Sequence, residues 1–349
     1  MATASTTSFP ANRDFAFLRL EGNRYLCGVG PFRTAAAAPS AEGGAAFYLN
    51  DFALADPEPW KIPAHFFETH DLRRLLPDNG STPLPAIEWD GLKDAEFRSA
   101  YDEILCSITE GRLEKSVPVI TERGRINGGD PAALINAVGA APSDLWGYGF
   151  RFGESGSVGL TPERLFSFSG GYLETMALAG TAPRHEAGQF LTDPKEIREH
   201  EFVATYLVEK LAELGEIKRE MRVMLDLGSI VHFLSRIQVK LREPVPGIDD
   251  LIRHMHPTPA LGAYPRGDGA LRDLMSVRRR LGAPEHFGAP FGAFHQGDFH
   301  SVVAIRNVSW SGNEVFLPSG CGIIRESRFD REWRELALKR NAVKSLLGI

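Results

Sequence analysis

Cysteine is scarce in this chain: Cys27, Cys106 and Cys321 are the three in 349 residues. An odd number at such spacing makes neither a disulfide framework nor a zinc pattern, and points to a reducing, cytoplasmic compartment. A basic excess is missing too. Lys and Arg number 39 against 45 Asp and Glu, and the net charge of -6 argues against a nucleic-acid partner. No apolar run approaches the roughly 18 residues of a membrane span, so no membrane partner is expected. The opening MATASTTSFPANRDF lacks the basic and apolar regions of a signal peptide, and reads as a short disordered lead before a first strand. Also absent are a P-loop, a dinucleotide-binding fingerprint, a Gly-x-Ser-x-Gly elbow and any fixed-period repeat. What remains is the composition of a globular protein, 43% hydrophobic and 24% charged, long enough for one large domain or two ordinary ones.

The pattern of the chain mixes strands and helices within one α+β unit. FAFLRL and RYLCGV suggest early strands, interrupted by the low-complexity TAAAAPSAEGGAA. A helix is expected over 94–110, then a strand near 116–121, a short helix at PAALINAVG and a strand at LWGYGFRF. Two strands flank Gly170-Gly171, a good two-residue hairpin turn. DPKEIREHEF opens the clearest helix. Asp193 suits its N-cap, Pro194 the first helical position, and Glu196 the acid of a capping box. Val203, Leu207, Leu211 and Leu214 continue an apolar stripe that Gly215 ends. Beyond it come a strand at GSIVHFLSRIQVKL, a short helix at DDLIRHM, a rigid turn at HPTPALGAYP, and a hairpin about Ser311-Gly312 joining HSVVAIRNVSW to NEVFLPS. A final helix covers DREWRELALKRNAVKSLLG.

Several residues sit oddly in these elements. Glu199 heads the apolar stripe one turn before Val203, and a carboxylate there needs a partner, a raised pKa or a metal, unless it is a solvated first-turn acid. Glu196 can share its face, although a capping box explains it adequately. Glu332 and Glu335 form a second acidic pair on the last helix, with Lys339 one turn on; a solvated charged face accounts for them singly. Alternation in SVVAIRNV places Arg306 on the face of Val302, Ala304 and Val308, where it either neutralises an internal acid or meets an anionic ligand. SGCGII is a glycine-flanked turn whose amides suit a carboxylate, and its Cys321 reads as a small buried residue. Glu163, Lys115 and the lone strand histidine His232 carry no signal singly.

Taken in order, GLTPERL, ALAGTAPR, DPKEIREH, IVHFLSR, HPTPALGAYPR, VAIRN, SGCGII and EWRELALK resemble the chorismate-utilising enzymes. These include isochorismate synthase, salicylate synthase and the large subunits of anthranilate and aminodeoxychorismate synthases. The resemblance covers roughly residues 95–349 as the catalytic region, with residues 1–94 a variable, strand-rich portion of the same domain. It implies an α/β (α+β) fold: a single large domain of two-layer antiparallel sheets with outer helices. It also implies chorismate as substrate and Mg2+ as cofactor, held by Glu199 and Glu335 with Glu196 and Glu332 beside them. Lys115 is then the general base that activates water at C2, and Glu163 the general acid toward the C4 hydroxyl. Their environments must push the two pKa values apart. Arg306, Lys339, Gly320 and Gly322 are expected at the enolpyruvyl carboxylate, Gly180 and Thr181 at the ring carboxylate, with His232 in support.

Within the family, Ala179 replaces the nucleophilic lysine of aminodeoxychorismate synthases, and Lys115 replaces the glutamine of anthranilate synthases. Both departures favour water as nucleophile, hence isochorismate. Arg164 after Glu163 differs from salicylate synthases and favours stopping there. Phe287 stands where the family commonly has a tyrosine that helps hold the enolpyruvyl carboxylate. The alternatives are an amine-transferring enzyme needing a separate glutaminase partner, a salicylate synthase, and a chorismate-binding protein without chemistry.

Overall fold

The computed structural model describes residues 13–40, 44–76 and 81–349. Most of the expected N-terminal lead, residues 1–12, and residues 41–43 of the low-complexity stretch lie outside the described residues. Seven α-helices are present among the described residues: α1 (Asp94–Thr109), α2 (Ile135–Ala140), α3 (Ala187–Phe190), α4 (Pro194–Ala212), α5 (Ile248–Met255), α6 (Asp268–Arg280) and α7 (Phe329–Leu347).

Seventeen strands pair into one continuous sheet, and each of its pairings is antiparallel. The described residues before α1 contribute strands to it. Phe15–Arg19 pairs with Trp146–Phe152, Ala46–Leu49 with Pro290–His295, and Ala86–Trp89 with Val119–Gly128. Trp146–Phe152 and Pro290–His295 are separated in the sheet by other strands, yet their rings meet. Phe291 lies 5.5 Å from Tyr148 and 6.1 Å from Phe150, centroid to centroid. The sheet therefore doubles over, and its two halves press apolar faces together as two layers. The expected two-layer antiparallel fold with outer helices is what the chain forms.

Local chemistry explains the elements nearest the site. Gly170 and Gly171, at φ 55° and 81°, close the hairpin from Arg164–Ser169 to Tyr172–Pro183 as a two-residue turn. In α4 the Asp193 side chain accepts from the Lys195 amide at 2.9 Å, and Pro194 occupies the first turn. Val203, Leu207 and Leu211 bury that helix against Ala177, Ile237 and Val239 of the two long strands. The last helix ends at Gly348, whose φ of 72° suits a glycine cap.

Some expectations shift. The hairpin predicted about Ser311-Gly312 turns on Gly312 and Asn313, because Ser311 pairs with Glu314. The strand expected at 116–121 splits into Lys115–Ser116, in a small three-stranded sheet, and Val119–Gly128. The strand expected through HSVVAIRNVSW breaks in two, Asp298–Val303 and Asn307–Ser311. Arg306 at the break has φ of 54°. It therefore does not share a strand face with Val302 and Val308; it is turned aside into a cavity.

Candidate active site

The acidic starts of α4 and α7 converge from opposite ends of the sequence. Glu196, Glu199, Glu332 and Glu335 are all buried, Glu332 at 1% exposure. A solvated charged face is thus wrong for both pairs. Glu196 also closes no capping box: its Oε2 accepts the Thr181 amide at 2.7 Å, while the Asp193 amide donates to Phe190 O at 3.2 Å. The reason lies in the strand Tyr172–Pro183, whose register shifts at Gly180. Gly180 has φ of 76°, and a Cβ there would come within 2.9 Å of Glu196 O. That kink aims the Thr181 amide at the helix.

Three lysines thread the acids. Lys195 Nζ lies 3.0 Å from Glu196 Oε1, 3.0 Å from Glu199 Oε2 and 3.4 Å from Glu332 Oε1. Lys115, fully buried, donates to Glu199 Oε1 at 3.1 Å. Lys339 pairs with Glu335 at 2.6 Å and donates to Gly320 O at 2.8 Å. Burial alone would raise the Glu199 carboxyl, but the ammoniums of Lys115, Lys195 and Lys339 hold it well below the usual carboxylate range. Glu196 and Glu332 go the other way. Burial raises both, Lys195 opposes the rise, and neighbouring carboxylates add to it.

A cavity opens beside this cluster. Glu163, Gly180, Thr181, Glu199, His232, Arg306, Gly320, Gly322 and Lys339 line it. Lys115 does not; it reaches Glu199 from behind Gly322. Glu196, Glu332 and Glu335 line a neighbouring cavity that shares Thr181 with the first. Apart from Lys115, the sequence-predicted residues therefore fall on two adjoining chambers with the acid–lysine cluster between them.

Glu163 is buried, and burial lifts its carboxyl to about 8 against the pull of Lys115 and Lys339. Arg306 has no carboxylate within ion-pairing distance among the described residues; its Nη2 donates to His232 Nε2 at 3.2 Å. Burial, with Arg306 and Lys339 nearby, lowers the imidazole of His232 to about 3. The ring is neutral, and because the guanidinium can only donate, the His232 proton sits on Nδ1, facing Gly180 O at 3.0 Å. Burial lowers Arg306 to about 10 with Glu335 opposing the fall, so it remains a cation lining the cavity, with no carboxylate within ion-pairing distance among the described residues. Of the two sequence-based roles for Arg306, the structure favours the anionic ligand.

Of the glycines lining the cavity, Gly322 leaves the least room for a side chain. A Cβ there would lie 2.1 Å from Glu199 Oε1 and 2.8 Å from Lys115 Cε. Gly322→Ala is expected to displace both groups and lower kcat/KM by ~100-fold, the usual effect of a 1 Å misplacement in a site. Circular dichroism should remain native; kinetics within a few-fold of wild type would contradict the placement.

Phe287, 3% exposed, forms part of the cavity wall, and Arg278 Nη2 holds its carbonyl at 2.5 Å. It offers an apolar face where a hydroxyl was expected. Cys321 is buried, its thiol raised by burial and by Glu332 and Glu335, consistent with a small buried residue. None of the three cysteines is in a disulfide. Arg164 turns away from the cavity: its guanidinium stacks over Trp146 at 4.4 Å and pairs with Glu21 at 3.0 Å. It gives no geometric reason to separate one product from another. Lys195, at the centre of the cluster, was not anticipated, although its signal was in DPKEIREH: a lysine one turn before Glu199.

Residues 69–348 match the protein family described as chorismate binding enzyme. The chain belongs to that family. Among chorismate-binding relatives, it is 28% identical over 268 residues to a salicylate biosynthesis isochorismate synthase of Pseudomonas aeruginosa, covering 72% of this chain and 55% of that protein. It is 31% identical over 206 residues to an isochorismate synthase of Bacillus subtilis, covering 55% of this chain and 42% of that protein. The chain thus spans about half the length of these curated relatives. The solved structure of the menaquinone-specific isochorismate synthase of Escherichia coli superposes with a TM-score of 0.81 at 19% identity, covering 99% of this chain and 92% of that one. No helix among the described residues is long and apolar enough to cross a membrane.

The cluster's donor set suits a hard divalent cation. Four carboxylates from two helices supply oxygen, and neither oxygen of buried Glu332 has a well-aligned hydrogen-bond partner. Among the described residues no three Asp, Glu, His or Cys side chains already converge as a cage. Magnesium does not require one, since it keeps several waters and binds through one or two carboxylates.

Proposed function

We propose that this protein converts chorismate to isochorismate with the aid of magnesium. The observation that carries the reading is one cavity lined both by a buried carboxyl, Glu163, that burial raises to about 8, and by Arg306, which has no carboxylate within ion-pairing distance among the described residues. A dicarboxylate fits such a site at two ends. Arg306, fixed by His232, meets the enolpyruvyl carboxylate with Lys339 and the Gly320 and Gly322 amides, while Gly180 and Thr181 face the ring carboxylate.

Glu199 and Glu335, with Glu196 and Glu332 beside them, are the residues that would hold magnesium. When bound, it supplies positive charge to grip and neutralise the ring carboxylate. The remaining chemistry belongs to the chain. Lys115 takes a proton from water as its oxygen bonds to C2, and the ring double bonds shift. Glu163 gives its proton to the C4 oxygen as that bond breaks. One water enters and one leaves, so the product is an isomer of the substrate. Lys115 now donates to Glu199 as an ammonium; to act as the base it first releases one proton to solvent, gives up that hydrogen bond and turns to the cavity.

Incubating the purified protein with chorismate and Mg2+, with and without ammonia, tests the reading by chromatography of the products. Isochorismate without ammonia, and no turnover after chelation of the metal, is the expected result. Salicylate plus pyruvate, an aminated product that appears only with ammonia, or binding without turnover would each replace it with a different reading. The aminated product would also require a glutaminase partner to supply ammonia.

A further inference from the structure

Lys195 is the ammonium that ties cluster acids from both helices, Glu196 and Glu199 of α4 to Glu332 of α7. Lys115 pairs with Glu199 only, and Lys339 with Glu335 on its own helix. We propose that Lys195 is a resident counter-cation: it holds the two acidic helix starts together in the metal-free protein and competes with the divalent cation for the same oxygens, thereby setting how tightly that cation binds. This rests on the magnesium reading above.

The physical case is electrostatic and geometric. Buried carboxylates this close repel one another, and breaking their link to a cation leaves charge uncompensated. One ammonium at 3.0 Å, 3.0 Å and 3.4 Å from three of them relieves that repulsion across the gap between α4 and α7. A divalent cation on the same oxygens does so better, but only by sharing them with Lys195 or displacing it. Lys195 lines the second chamber, and its flexible four-carbon stem gives it a direction in which to swing away from the acids. The lysine thereby weakens metal binding, and in exchange the empty site does not spring apart.

The test uses Mn2+ alone, without substrate, followed by the electron paramagnetic resonance signal of the free ion, alongside thermal melts with and without Mg2+. Lys195→Met is expected to bind Mn2+ about tenfold or more tightly, corresponding to removal of a charge-assisted competitor. Its metal-free melting temperature should fall, and its gain on adding Mg2+ should exceed that of the wild type. The double variant Lys195→Met with Glu332→Gln removes one acid of the cluster together with the lysine, and should return Mn2+ affinity toward wild type even if the single variant folds poorly. Unchanged or weaker Mn2+ binding in both variants, or equal losses in melting temperature with and without metal, would overturn the role of Lys195 alone. Wild-type protein that binds no Mn2+ would overturn the magnesium reading, and this inference with it.

Discussion

Lys115→Met is expected to reduce chorismate turnover by about 10²–10⁴-fold, the usual contribution of a positioned general base. Binding of chorismate should change far less, because its two carboxylates are expected at Arg306 and Lys339 and at Gly180 and Thr181, and not at Lys115. Methionine keeps the length and apolar stem while removing the charge, so the loss reports on chemistry more than on packing. The same change should destabilise the protein. Removing one partner of a buried ion pair typically costs about 3–5 kcal/mol, and the low end applies here because Glu199 keeps Lys195 at 3.0 Å. Steady-state kinetics, fluorescence titration with chorismate and a thermal melt measure the three effects separately. Turnover within tenfold of wild type would remove Lys115 from the role of base. Lost turnover together with equally lost binding would recast it as a residue that merely keeps Glu199 in place.

The resemblance was legible because it lies in short segments, and their order survives folding. The acid at the head of the α4 stripe could be seen as misplaced from helical spacing, and burial of Glu199 follows from that spacing. Its partner α7 could not be found from periodicity, since nothing in a local pattern says that residues more than a hundred positions apart share a site. Arg306 shows the opposite failure. Strand alternation places it on an apolar face, whereas the chain breaks at Ala304–Arg306 and takes a positive φ. Such a conformation costs roughly 1–3 kcal/mol for a residue with a side chain, and a preference that small is invisible in the sequence once tertiary packing overrides it. Glu196 failed for a similar reason. Its capping-box spacing was right, but the kinked strand at Gly180 offers the Thr181 amide as its partner. Lys195 went unnoticed because an i,i+4 lysine and glutamate usually make a solvated pair, and only the burial of α4 against the sheet makes it central.

Glu163→Gln should lower kcat by about 10²–10⁴-fold with little change in the chorismate dissociation constant, since glutamine keeps the shape but cannot give up a proton to the leaving hydroxyl. The pH profile carries the sharper evidence. With the Glu163 carboxyl at about 8, the acid form dominates at neutral pH, and wild-type activity should decline as pH rises through about 8. The variant should lack that alkaline decline in whatever activity remains. Stability must follow the same group. Between the ordinary 4.5 and about 8, the folded protein keeps on Glu163 a proton that the unfolded chain has released. Stability from this group is therefore full below 4.5 and is lost as pH rises through about 8. Replacing Glu163 by glutamine removes that dependence, so melting temperatures measured from pH 5 to 9 should fall less steeply for the variant than for wild type. Parallel melting curves would mean that Glu163 is ionised in the folded protein, and the general acid would then have to be another group lining the same cavity.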